Sequence, residues 1–193
     1  MERTPPVSAA TRLRAVATAP FRRMRAEWFG TPFHGLALAA GRPRGAGAKV
    51  RSLRPADAEA GRRILDGSYV FWGETLDVGP GGDPWNRPSP SRRFAEALHR
   101  SEWIGDVLAL GPPGETEALR LTLAWRRQFR RWTPFSWDER VLTRRVVSLA
   151  TALGPMLGVA SDAEAAALLT DLSRQARQLM ALGGRAHAAE RAA

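Results

Sequence analysis

The sequence predicts a mainly α-helical protein, built as an open arc of antiparallel helical hairpins with one small β-hairpin. Apolar residues recur at helical spacing in the second half of the 193-residue chain, as in Leu142, Val146, Leu149 and Leu153. Short loops containing Pro, Gly or Ser separate four such stretches, which makes consecutive helices antiparallel neighbours. A single short segment, Tyr69 to Val78, is rich in β-forming residues on both sides of a glycine.

Charge divides the chain into two parts. The formal net charge is +10, yet residues 1–54 hold eleven basic and two acidic residues, whereas residues 55–193 hold 18 basic and 17 acidic ones. The glycine-rich run from Gly41 to Lys49 predicts a flexible link. We therefore predict a basic, partly helical or flexible leading segment over residues 1–48 and a helical domain over residues 49–193.

The elements of the domain are predicted in order. Pro55 suits the first turn of a short helix, which Gly67 ends. A β-hairpin follows at about residues 69–78, and residues 79–90 contain too much Pro and Gly for regular structure. Hydroxyl and carboxylate pairs predict capping boxes at Ser136 with Glu139 and at Ser161 with Glu164. The predicted helices span about residues 91–110, 114–131, 137–154 and 162–182.

The run DPWNRPSPSRRFAEALHRSEWIGDVLALG, from Asp83 to Gly111, joins a stiff Trp/Pro/Arg loop to a helix that bears an in-line His and Trp. Together with the hairpin SYVFWGETLDVG, it resembles the entry segment of the heparinase II/III family of polysaccharide lyases. The resemblance extends from about Leu53 to Leu182. It implies that the helices are the N-terminal part of an α/α toroid, of which the remainder and a β-sandwich would lie beyond this chain.

That resemblance implies a β-elimination activity on an anionic, uronate-containing polysaccharide, carried out by the full-length protein. The family's Asn/His/Tyr group lies in the part that this chain lacks, so no catalytic residue is assigned and we expect the chain alone to be inactive. The family's Trp-Asp pair stands here as Trp85-Asn86, which removes a negative charge from the loop. Whether the chain belongs to an enzyme stays uncertain.

Four residues are candidates for substrate binding. His99 precedes Trp103 by four residues, which places both on one face of the predicted helix. Trp85 and Arg87 are presented from the stiff loop, where an indole face suits a sugar ring and a guanidinium suits an acidic sugar. The alternative for all three aromatic residues is packing: a hydrogen bond from His99 to a loop carbonyl, Trp103 in the hairpin core, and Trp85 as a loop anchor.

Several classes of function are excluded or disfavoured by composition. The chain has no cysteine and three histidines, so we expect no metal site and no cofactor. Phosphate-binding loops, dinucleotide fingerprints and nucleophile elbows are absent from the sequence. Nucleic acid is not an expected partner, because the Arg-rich run from Arg126 to Trp132 falls at a helix C-terminus, where cations are favourable.

A second hypothesis is a non-catalytic helical module that binds an acidic partner, whether nucleic acid, membrane or protein, through the basic leading segment. An amphipathic helix from about Ala9 to Trp28 would suit contact with a membrane surface, although Pro20 interrupts it. No stretch is apolar enough for a signal peptide. We therefore expect a cytoplasmic protein, with the periplasm as the alternative.

Overall fold

The computed structural model describes residues 54–191, and before them Glu27, Phe29, Thr31, Leu38 and Ser52; from residue 184 onward it describes the backbone alone. The elements are α1 (Ala58–Leu65), β1 (Ser68–Phe71), β2 (Glu74–Asp77), a 3-10 turn (Pro84–Asn86), α2 (Arg92–Arg100), α3 (Ile104–Leu108), α4 (Pro112–Phe129), α5 (Glu139–Val159) and α6 (Asp162–Arg191). The prediction of a mainly helical protein with one β-hairpin is confirmed.

Two predictions about the start of the chain lie outside the described residues. One is the amphipathic helix from Ala9 to Trp28, of which only Glu27 is described, and the other is the flexible link from Gly41 to Lys49. The division into residues 1–48 and 49–193 stays a prediction.

Helix α1 begins three residues later than predicted, because Asp57 rather than Pro55 prepares its first turn. The Asp57 carboxylate accepts hydrogen bonds from the backbone N–H groups of Glu59 and Ala60, both at 3.0 Å. Gly67, with φ of 84°, then turns the chain into β1. A side chain at Gly67 would overlap the carbonyl of Gly79, so this turn requires glycine on two grounds.

Strands β1 and β2 form the predicted antiparallel hairpin, in which Tyr69 is opposite Leu76 and Phe71 is opposite Glu74. The two-residue turn between them is Trp72-Gly73, with φ of 58° and 78°. Positive φ at both central positions is the geometry of a type I′ turn, which normally uses Asn or Gly. Trp72 is therefore an unusual residue at this position.

The single helix predicted over residues 91–110 is divided in two, which corrects the prediction. Ser101 has φ of 59°, in the left-handed region, and its N–H bonds to the carbonyl of Leu98 as helix α2 ends. The chain changes direction there before α3 begins at Ile104. A serine is no strong helix terminator, so its identity did not predict this break.

The last two helices begin and end at partly unexpected residues. Asp138, not Ser136, caps α5 through its bond to the Arg140 N–H at 3.0 Å. Helix α5 also continues through Pro155 to Val159, whereas we predicted its end near residue 154. The capping box of Ser161 and Glu164 is confirmed, since each side chain bonds the other's backbone N–H at 2.9 and 3.4 Å.

Helix α5 lies at the centre of the packing, against α2, α3, α4 and α6. Most buried apolar side chains form one cluster that includes Phe94, Trp125 and Leu149. A second, smaller cluster joins Phe29 of the leading segment to Trp137, Leu142 and Leu182. Trp125 belongs to the first cluster and Trp137 to the second, and each is 3% exposed.

Candidate functional site

Two of the four candidate residues are tryptophans that anchor the core. Trp85 is 7% exposed and donates from its indole N–H to the carbonyl of Leu121 at 3.0 Å. Trp103 is buried as well, and its indole N–H bonds the carbonyl of Leu98 at 3.0 Å. Since their rings face neighbouring helices, both positions match the packing alternative.

His99 and Trp103 do not share a helical face, which corrects the prediction that paired them. The break at Ser101 leaves His99 on α2 and places Trp103 just before α3. Their rings consequently meet different partners: His99 accepts a hydrogen bond from the Trp125 indole at 3.0 Å, whereas Trp103 packs edge-on against Tyr69 at 6.2 Å. The carbonyl bond predicted for His99 is therefore replaced by a bond to an indole.

Arg87 is exposed, as predicted, at the end of the 3-10 turn. The turn itself is held by Asp83, whose carboxylate accepts from the Trp85 N–H at 2.9 Å. Asn86 is fixed from the other side by the Gln128 amide at 2.6 Å. Of the four candidates, only Arg87 therefore presents its side chain to a ligand without rearrangement of the core.

A buried polar network lies directly behind these residues. Arg145 is 1% exposed, and its guanidinium donates to Gln175 Oε1 at 2.7 Å and to the carbonyl of His99 at 3.1 Å. Its guanidinium carbon also lies 4.2 Å from the centre of the Trp125 ring. The network therefore connects α2, α4, α5 and α6 through a single side chain.

Burial changes the acid–base properties of this network. Desolvation, with the nearby Arg145 charge as a smaller cause, lowers the pKa of His99 to about 3. Desolvation likewise lowers the pKa of Arg145 to about 9. His99 is therefore neutral near pH 7, and its Nδ1 serves as an acceptor for Trp125.

Sequence reasoning missed Arg145, although a signal was present. Arg145 lies three residues after Leu142 and four before Leu149, on the same apolar stripe of the helix. A charged residue on such a stripe is buried only where neutral acceptors or a counter-charge receive it. These partners, Gln175 and the His99 carbonyl, come from other helices and are not visible in the local sequence.

The described residues offer no obvious catalytic or metal centre. No group of three or more His, Cys, Asp or Glu side chains in that part of the chain is placed to hold a metal ion. Tyr69 is 0% exposed, and burial raises the pKa of its hydroxyl. None of the described helices combines the length and apolar composition needed to cross a membrane.

The β-hairpin carries two of the large apolar side chains that are exposed among the described residues. Trp72 is 65% exposed and Val70, on the outer face of β1, is 43% exposed. A groove of about 420 Å³ adjoins them, between α1, β1 and the segment that joins α2 to α3. Trp72 therefore places a large apolar side chain in solvent at the edge of this groove.

Fold and surface together describe a helical protein with a buried polar network and an exposed aromatic turn. One similar protein is FtsZ-localized protein C of Caulobacter vibrioides, which is 47% identical to this chain over 154 residues. The match covers 80% of this chain and 27% of that protein, so the chain spans about a quarter of the relative's length. No family model and no solved structure matches.

These comparisons overturn the resemblance to heparinase II/III lyases. The similarity found is to a protein named for its localisation with FtsZ, and no family model matches the chain. The predictions of polysaccharide lyase activity and of an anionic polysaccharide partner are accordingly wrong. The alternative, a module that binds an acidic partner through the basic leading segment, is not confirmed either.

Proposed function

We propose that this chain is a non-enzymatic, cytoplasmic helical module that associates with FtsZ. The observation that carries the proposal is the 47% identity to FtsZ-localized protein C, which extends over four fifths of this chain. An identity of 47% implies that the two proteins share a fold over the matched residues, which supports a shared localisation with FtsZ. The same relation supports a cytoplasmic location together with FtsZ.

The interior of the domain supports a role in binding rather than catalysis. The pKa of His99, lowered to about 3, keeps this residue neutral and bonded to Trp125 near pH 7. Tyr69 is sealed in the core. His99 and Tyr69, two of the side-chain types that act as general acids or bases in enzymes, are thus committed to packing, whereas Trp72 exposes an aromatic side chain to solvent.

Direct binding to purified FtsZ tests the proposal. The immobilised chain is expected to bind FtsZ in biolayer interferometry, and the fluorescently tagged chain is expected to coincide with FtsZ in dividing cells. The tag alone serves as the control for localisation. A chain that is folded by circular dichroism yet shows neither binding nor coincidence with FtsZ would refute the proposal.

A further inference from the structure

One side of the hairpin has a free strand edge inside the groove. Val78 donates its backbone N–H to the carbonyl of Gly67 at 2.9 Å, which makes that pair a hydrogen-bonded one. Hydrogen-bonded and non-hydrogen-bonded pairs alternate in an antiparallel ladder. Tyr69 and Phe71 therefore bond β2, whereas the N–H and C=O groups of Ser68 and Val70 point away from β2.

The residues that carry these outward groups line the groove. Ser68, Val70 and Trp72 line one wall of it, and Ile64 of α1 and Trp103 contribute apolar surface beside them. A strand edge recessed between helices offers backbone donors and acceptors at a depth where an added strand would also bury side chains. The geometry is that of a site for strand addition.

Trp72 and Val70 provide the apolar part of this site. They lie two residues apart at the open end of β1, and both are large side chains exposed by 65% and 43%. Exposed tryptophans beside a pocket are the residues that most often dominate binding energy. The carbonyl of Trp72 also accepts from the Arg93 guanidinium at 3.5 Å, which helps to fix the turn.

The charges on the walls are balanced by pairing within the chain. Arg54 bonds Asp106 at 2.6 Å and Arg63 bonds Glu59 at 2.9 Å. Glu102 is paired with Arg144 at 3.5 Å, and Asp57 caps α1. A charged ligand would compete with these pairs and gain little, so the groove fits an uncharged segment.

Helices α1 and α2 both pack against β1 and border the groove. An extended segment needs less room between two helices than a folded domain does. The site therefore fits a separate extended segment of another protein.

We propose that this groove binds one extended, uncharged segment of FtsZ, which adds to the outer edge of β1 and packs an apolar side chain against Trp72 and Val70. This proposal rests on the proposed function and adds the surface and the mode of contact. The backbone of Val70 supplies main-chain hydrogen bonds, and Trp72 supplies the apolar anchor.

Two variants test the proposal. Trp72→Asn removes the indole and introduces a residue that a type I′ turn prefers, so thermal stability is expected to be unchanged or higher while the Kd for FtsZ rises at least tenfold. Val70→Pro removes an outward N–H without breaking a bond to β2, and it is expected to weaken FtsZ binding by a similar factor.

Matched control variants test whether FtsZ binds the β1 edge of the hairpin and not the β2 edge. Thr75 is opposite Val70 in the hairpin, and its N–H points outward from the other edge, so Thr75→Pro carries the same backbone change away from the groove. Val147→Ala alters an exposed apolar residue on α5. Both controls are expected to bind FtsZ within twofold of the unmodified chain, with circular dichroism and thermal midpoints recorded for all four variants.

The outcomes separate the two proposals. If the unmodified chain binds FtsZ and Trp72→Asn binds equally well, the groove is not the site, whereas the association with FtsZ stands. Weakening by Thr75→Pro as strong as that by Val70→Pro would also overturn the assignment to this edge. If the unmodified, folded chain fails to bind FtsZ, both proposals fall.

Discussion

Arg145 is held inside the protein by neutral groups: the Gln175 side chain, the His99 carbonyl and the face of Trp125. Taking a guanidinium out of water is costly, and such partners offset that cost only when all of them are in place. The lowered pKa of Arg145 is the sign of this cost. Through these contacts the Arg145 side chain ties α2, α4, α5 and α6 together, while its Nη2 is buried without a hydrogen-bond partner among the described residues.

Substitutions of Arg145 and Gln175 test whether these two buried side chains depend on each other for stability. Arg145→Met keeps the volume but leaves Gln175 Oε1 without its 2.7 Å donor, so we expect a loss of about 2–4 kcal/mol in unfolding free energy. Adding Gln175→Leu removes the orphaned acceptor and is expected to recover at least about 1 kcal/mol. Urea denaturation of the two single variants and the double variant measures this coupling; additive losses would contradict it.

The low pKa of His99 predicts that the folded protein loses stability in acid. Burial lowers the His99 pKa from the ordinary 6.5 to about 3 in the folded protein, so between these pH values the unfolded chain binds one more proton. The contribution of neutral His99 to the free energy of unfolding is fully present above pH 6.5. Below that pH, the free energy of unfolding falls by about 1.4 kcal/mol per pH unit.

The measurement is unfolding free energy at pH 7, 6 and 5 for the unmodified chain and for His99→Asn, which retains an acceptor for Trp125 but does not titrate. The difference between the two proteins should shrink as the pH falls. Parallel pH profiles would show that His99 is not the titrating group.

Among the elements, the turn at Gly67 joins α1 to the hairpin and allows a clean comparison. Gly67 and Gly73 both have positive φ, 84° and 78°, but an added methyl would strike the Gly79 carbonyl only at Gly67. Gly73→Ala is expected to cost about 1 kcal/mol, for the left-handed conformation alone. Gly67→Ala is expected to cost at least about 2 kcal/mol more, as measured by thermal and urea unfolding.

Equal losses for the two alanine variants would show that the close approach to Gly79 is relieved by a small shift of the backbone. A larger loss at Gly73 would contradict the turn geometry described for the hairpin.

Elements with local signals were predictable, and those fixed by distant contacts were not. The hairpin and the Ser161 capping box follow from residues within a few positions of one another. The break at Ser101 does not, because it arises where Trp103 and Ile104 turn into the core. Ser136 matches the sequence pattern of a helix N-cap, yet its hydroxyl forms a hydrogen bond with the Thr133 hydroxyl at 2.7 Å instead.

At the scale of the whole molecule, the helical class was predictable from periodicity, whereas function was not. Trp85 and Trp103, on which the resemblance to lyases depended, anchor the core. Aromatic residues at such spacing serve packing in many folds, so a short Trp/Pro/Arg loop did not discriminate between families. The similarity to FtsZ-localized protein C required comparison of most of the chain.

The contact between Arg145 and Gln175 also bears on how the chain folds during its synthesis. Gln175 follows Arg145 by 30 residues, a length comparable to what a ribosome exit tunnel conceals. While Gln175 is still inside the ribosome, the Arg145 guanidinium lacks the side-chain oxygen that it bonds in the folded protein. We therefore expect α5 to complete its packing only after Gln175 has emerged.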